Sequence, residues 1–147
     1  MLDSINRKLI AALQENARLS YAELAKRVHL SAPAVAERIR KMEQAGIIAG
    51  YSLKVDLDRA GYPIVALVQC KVFRTQERAF KALVLACDEA VECHNVTGEQ
   101  AFLVKLAVAS MAQLDRVLET FCDYSDTNTM MILSTPVERA LPQTFFD

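Results

Sequence analysis

The sequence predicts an α+β protein in which an N-terminal (winged) helix-turn-helix is followed by a ferredoxin-like βαββαβ domain. Two short helices with strong start signals follow one another between residues 20 and 46, the helix-turn-helix pattern. Beyond residue 63, four strand-like runs alternate with two amphipathic helical stretches. Charge divides along the same line. Residues 1–50 hold eight Lys/Arg against five Asp/Glu and the remainder nine against thirteen, although the whole chain sums to −1. The expected organisation is a helical module over residues 1–54, a linker over 55–62, the ferredoxin-like domain over 63–141 and a C-terminal tail over 142–147.

Asp3 or Ser4 can cap a first helix running to about Glu15, with Ile5, Leu9, Ala12 and Leu13 on one face. Asn16-Ala17-Arg18 breaks it. Ser20 and Glu23 have the spacing of a capping box, with Leu19 and Leu24 as its hydrophobic staple, so a second helix begins at Ser20. It turns Leu24, Ala25 and Val28 inward and closes near His29, a residue type that tolerates the left-handed backbone such an exit often needs. Ser31 then caps a third helix, and Pro33 sits in its first turn, where a missing N–H costs nothing. Val35, Ile39 and Met42 form one narrow inward stripe. Pro33, Glu37, Arg40, Lys41 and Gln44 lie on the other side, Arg38 lies on the flank, and Gly46 ends the helix. Ile47-Ile48 and Tyr51–Lys54 look like short extended pieces, which suit either a small wing or a lead into the linker.

Val55–Pro63 carries turn residues and mixed charge, and the periodicity changes after it. Ile64–Phe73 reads as a strand, Phe80, Leu83, Val84 and Cys87 as a helix face, and Val91–Thr97 as a second strand. Gly98-Glu99 fits a tight turn into a third strand, Phe102–Val108. Leu114, Val117, Leu118 and Phe121 mark another helix, and Thr129–Thr135 a fourth strand. Two helices cover only one face of a four-stranded sheet, and these strands are apolar on both faces. The uncovered face therefore needs a partner, most simply the same face of a second copy in a homodimer.

Several function classes are disfavoured. No apolar run reaches the roughly 18 residues that span a bilayer, and the charged, periodic N-terminus does not read as a signal peptide. A cytoplasmic location without membrane attachment is expected. Cys70, Cys87, Cys93 and Cys122 form no CxxC pair, and neighbouring Cys93 and His94 would point to opposite faces of a strand, so buried free thiols and no metal are expected. With two histidines, no Gly-rich phosphate loop and no helical pair of metal ligands, neither an enzyme nor a cofactor is expected.

A small helix with a thin apolar stripe and a basic outer face suits insertion into the major groove of double-stranded DNA. Taken alone, Leu30–Gly46 fits an ordinary charged surface helix equally well; the capped helix before it and the basic N-terminal half favour DNA. The candidate DNA-contacting residues are Ser20, Ser31, Ala32, Pro33, Ala34, Glu37, Arg38, Arg40 and Lys41. The helix start at Ser31 can offer backbone N–H groups to a phosphate. Arg38, Arg40 and Lys41 can contact phosphate or, for an arginine, guanine; Glu37 can accept from a cytosine amino group; and Ala32, Pro33 and Ala34 permit close approach to thymine methyls.

These residues also resemble a known family. Leu2-Asp3 with Arg7-Lys8, Asn16-Ala17-Arg18-Leu19-Ser20, Glu23-Leu24-Ala25, Leu30-Ser31 with Pro33 and Val35, Arg38-Ile39, Gly46-Ile47-Ile48 and Val96-Thr97-Gly98-Glu99 are similar, in order and spacing, to the Lrp/AsnC (feast/famine) transcriptional regulators. The resemblance implies a sequence-specific DNA-binding regulator with a ferredoxin-like effector-binding and oligomerisation domain. It also implies dimers that often assemble into octamers, and amino acids as common effectors bound near the loop after the second strand. The candidate effector residues are Thr97, Gly98, Glu99, Gln100 and Ala101, joined by Asn128 and Thr129 across an interface. Gly98 would stand there equally well if the turn only needs a positive φ. Two departures stand out. Asn6 replaces a usual acid, and Gln100-Ala101 replaces a common Tyr-Asp, which removes a charge partner if that Asp holds an effector's amino group. The alternatives are an effector-independent architectural protein that wraps or bridges DNA, and a small-molecule-binding oligomer with no DNA role.

Overall fold

The capping signals near the N-terminus and the alternating apolar runs beyond residue 63 build separate cores. In the computed structural model, which describes residues 2–146, the chain forms two compact units, and it crosses between them twice. Residues up to Leu53 and from Val137 onward make the first unit, and Lys54–Pro136 the second.

The first unit contains α1 (Ser4–Glu15), α2 (Tyr21–Val28) and α3 (Ala32–Gln44). Each start is fixed by a short polar side chain: the Asp3 carboxylate accepts from the Asn6 amide, and Ser31 Oγ from the Ala34 amide. Ser20 and Glu23 form the full reciprocal capping box. His29 does adopt the left-handed conformation, at φ 56°, and this turns the chain from α2 into α3. Gly46, at φ 68°, lets the Ile47 amide return to the Met42 carbonyl and close α3. Leu9, Leu24, Val35, Ile39 and Met42 form the centre of the core.

No paired wing follows among the described residues. Tyr51–Lys54 has no strand pairing. Instead the Tyr51 hydroxyl donates to Glu43 Oε1 at 2.9 Å, tethering this segment to α3. Burial, and then the Glu43 carboxylate, push the Tyr51 phenol up to about 12.

The C-terminal residues return to this unit. A 3₁₀ turn (Gln143–Phe145) places Phe145, with Leu141, against the three-helix core. Arg7 Nη1 donates to the Phe145 carbonyl at 2.8 Å, and its guanidinium lies 5.4 Å from the Phe145 ring centre. From sequence, residues 142–147 are expected outside both domains, because a short stretch without periodicity carries no packing signal. Phe145→Ala is expected to lower stability by about 1–3 kcal/mol, less than the roughly 3–5 kcal/mol of a fully buried Phe because this ring stays partly exposed. Urea denaturation followed by helical circular dichroism measures it, and an unchanged midpoint would show that the segment contributes nothing to this unit.

The second unit contains β1 (Ile64–Val72), α4 (Glu77–Leu85), β2 (Ala90–Asn95), β3 (Phe102–Val108), α5 (Met111–Cys122) and β4 (Ser125–Met131). The sheet order is β2-β3-β1-β4 with every neighbouring pair antiparallel, which is the expected ferredoxin-like arrangement. One face is covered by α4 and α5. There Ala66, Val68 and Cys70 of β1 and Phe102, Val104 and Leu106 of β3 meet Phe80, Val84, Leu114, Val117 and Phe121. Phe80 lies with its ring centre 5.4 Å from both Phe102 and Phe121, tying both helices to the sheet.

β4 begins four residues earlier than its apolar pattern predicts. Its first half, Ser125 to Thr129, is polar because β4 is an edge strand, so periodicity alone does not find it. Pairing with β1 sets its place, from Ser125 opposite Val72 to Met131 opposite Ala66. The expectation of four buried thiols also needs correction. Cys70 is buried and its thiol is pushed up to about 12 by desolvation, and Cys87 is half-buried, whereas Cys93 on edge strand β2 and Cys122 at the end of α5 are exposed.

Candidate nucleic-acid interface

The outer surface of α3 is made by the residues left over once Val35, Ile39 and Met42 are buried at 0–2% exposure. Pro33, Glu37, Arg40, Lys41 and Gln44 are exposed, and Ala32 and Ala34 are partly covered. Both capping serines, Ser20 and Ser31, are exposed at the starts of α2 and α3.

The helix start offers less to an anion than its sequence predicts. Pro33 has no N–H, and the Ala34 amide donates to Ser31 Oγ at 3.4 Å, so a phosphate contact at this helix start falls to the Ser31 and Ala32 amides. The charged side chains of this helix are also not equivalent. Arg38 is directed toward α1, where its Nη1 donates to Asp3 Oδ2 at 2.7 Å and to Asn6 Oδ1 at 3.0 Å. The Asp3 carboxyl is held below the usual range, first by the Asn6 amide and then by Arg38. Arg38 is therefore engaged in bracing α3 against α1, and Asn6, standing where the family usually has an acid, is one of the acceptors in that brace. Arg40 faces outward. Its Nε and Nη2 grip both Glu37 oxygens at 2.9 and 2.6 Å, with Lys41 Nζ 3.6 Å from the same carboxylate. That pairing lowers the Glu37 carboxyl and raises the Arg40 guanidinium.

In the second unit, Gly98 takes φ 106° in the β2–β3 turn, and the Val96 amide closes the turn by donating to the Ala101 carbonyl at 2.7 Å. Thr97, Glu99 and Gln100 are exposed and Ala101 packs beside the core. Glu99 Oε2 lies 3.4 Å from Lys71 Nζ, which brings this turn to the end of β1. Asn128 pairs with Gln69 on the sheet face away from the helices, and its Nδ2 donates to Gln69 Oε1 at 3.0 Å. Thr129 pairs with Val68, whose side chain is buried under the helices, so its side chain leaves the strand on the opposite face from Asn128. Within one chain the structure groups Glu99 and Asn128 with Lys71 and Gln69 at one end of the open face and leaves Thr129 out. Sequence reading missed Lys71 and Gln69, although both alternate with the buried Val68 and Cys70 and so had to face outward.

Residues 2–43 match the AsnC-type helix-turn-helix domain, and residues 65–142 match the Lrp/AsnC ligand binding domain. This chain belongs to the Lrp/AsnC family. Among Lrp/AsnC relatives, the transcriptional regulator LrpC of Bacillus subtilis is 30% identical over 133 residues, covering 90% of this chain and 92% of that protein. The regulatory protein AsnC of Escherichia coli K12 is 30% identical over 150 residues, covering 96% of each. The solved LrpC structure superposes with a TM-score of 0.89 at 29% identity, covering 95% of this chain and 99% of its own. A transcriptional regulator of Neisseria meningitidis, solved as a complex with L-methionine, gives 0.89 at 26% identity and 97% coverage of both chains. Lrp/AsnC proteins are DNA-binding transcriptional regulators and not enzymes, and this chain is one of them. No helix of its described residues is long and apolar enough to cross a membrane.

Proposed function

We propose that this regulator acts as a homodimer, joined through the open face of its sheet, that presents two α3 helices to a near-palindromic DNA site and is tuned by a small amino acid. The observation that carries the reading is the open face itself. Val65, Leu67, Leu103 and Met130 lie on the side of the sheet opposite α4 and α5, in positions alternating with the buried core, and none of the four is buried. A twofold pairing of this face covers them and joins two DNA-reading helices in one molecule, which suits a site whose successive grooves lie about 34–36 Å apart. Arg40 and Lys41 are the cations assigned to DNA. Ser20, Ser31, Ala32, Pro33 and Ala34 lie at the two helix starts, where small side chains allow close approach.

The methionine bound to the Neisseria relative motivates the effector assignment. In this chain, Ala101 supplies no carboxylate, and the acid of the loop is Glu99, paired with Lys71. An α-amino acid carries one charge for each partner, so its carboxylate can take Lys71 and its ammonium Glu99, with Asn128 and Gln69 beside them. A thermal-shift screen of the amino acids at millimolar concentration, run with a mobility-shift assay on genomic fragments, tests the reading. A ligand of the native state raises the melting temperature by a few degrees and alters the shift pattern. DNA shifts with flat melting curves for every amino acid would overturn the effector assignment and favour an effector-independent architectural regulator.

A further inference from the structure

We propose that Glu37 is an internal competitor for DNA phosphate: it holds Arg40 and Lys41 on the helix surface and yields them only where a base edge offers its carboxylate another donor. This rests on α3 being the DNA-facing helix. Glu37 accepts from Arg40 through both oxygens and stands 3.6 Å from Lys41 Nζ, so one carboxylate serves both outward cations of the helix. The other acid of α3, Glu43, is taken by the Tyr51 hydroxyl. The side chains of Arg40 and Glu37 are about half exposed, at 51% and 48%, so the pair faces solvent and is cheap to separate.

The consequence differs between DNA sequences. At an arbitrary site, a phosphate approaching Arg40 meets a trio with one net positive charge instead of two, and Glu37 remains close enough to repel it. Where a cytosine N4 amino group reaches Glu37, that amino group donates to the carboxylate in place of the guanidinium. Arg40 is then released to a neighbouring phosphate or guanine. Selectivity arises from interactions withheld at wrong sites as much as from those made at the right one.

Salt titrations of the full-length protein and its Glu37→Gln and Glu37→Ala variants on a random-sequence duplex test this. Both variants should bind the random duplex several-fold more tightly at 50 mM salt. Their log–log salt slope should steepen by about one per bound helix, so the gain shrinks roughly threefold per bound helix, or about tenfold for a dimer with both helices bound, by 200 mM. Arg40→Ala should cost more affinity in the Glu37→Gln background than in the parent, which reports the coupling directly. Selection from a random duplex library should show the cytosine preference of the parent weakened in Glu37→Gln. Parent-like affinity and slope in both Glu37 variants, with Arg40→Ala still weakening the parent, would overturn the proposal while leaving α3 at the DNA. No effect of Arg40→Ala in either background would instead remove α3 from the interface, and this proposal with it.

Discussion

Arg40→Ala and Lys41→Ala are each expected to weaken binding to a selected DNA site on the order of tenfold at low salt and to leave the melting temperature nearly unchanged. Removing a cation from a phosphate should also flatten the salt dependence by about one unit per bound helix. The stability expectation follows from position: both side chains are on the exposed face of α3, with side-chain exposures of 51% and 69%, and pair only with a surface carboxylate. Arg38→Ala should behave in the opposite way. Its guanidinium braces α3 against Asp3 and Asn6, so its removal should lower the melting temperature and change the salt slope little. Anisotropy titrations from 50 to 200 mM salt, alongside thermal melts, separate the two patterns. Unchanged affinity and slope in both Arg40→Ala and Lys41→Ala would exclude this face from DNA contact.

Leu67→Lys is expected to have the larger effect, converting the protein to a folded monomer at micromolar concentration and reducing DNA affinity by about 10²- to 10⁴-fold. Leu67 is half-buried on the sheet face away from α4 and α5 and does not belong to the core between sheet and helices. A lysine there can reach solvent in the monomer, whereas in a face-to-face dimer it would bury an unpaired charge. Once the dimer is broken, the second α3 no longer binds as part of the same molecule, and the advantage of linked binding disappears. Sedimentation velocity of parent and variant is the check. A parent that sediments as a well-folded monomer, or a Leu67→Lys protein that stays dimeric, would place the interface elsewhere or remove it.

The helical part of the fold was the most legible in sequence because its ends are written in local chemistry. Asp3, Ser20 and Ser31 cap, His29 and Gly46 take left-handed conformations, and none of these depends on a distant residue. β3 was equally clear, since this central strand is apolar at every position but Lys105. The edge strands were not. β4 is defined by pairing with β1, and its polar first half carries no periodic signal. The return of Phe145 to Arg7 spans 138 residues and could not be read locally. At the candidate DNA face, sequence identified which side chains lie outside the apolar stripe but could not say what they bond. Arg38 on the flank and Arg40 on the outer face were both candidate DNA contacts, yet one is committed to α1 and the other to Glu37. At the effector end, the glycine turn carries a local signal, whereas Lys71 and Gln69 join it through the pairing of β1 with β3 and the Lys71–Glu99 ion pair, and Asn128 through the pairing of β4 with β1.

Two copies of this chain, joined through their sheets, are expected to bring two α3 helices to one DNA site. Hydroxyl-radical footprinting of the parent on a selected duplex, with Leu67→Lys and Arg40→Ala on the same duplex, tests this most directly. The expected result is a bounded site with two protected windows about one helical turn, roughly 10 base pairs, apart. Both windows should vanish with Leu67→Lys and weaken together with Arg40→Ala. A single protected window, or a two-window pattern that persists in the monomeric variant, would contradict it.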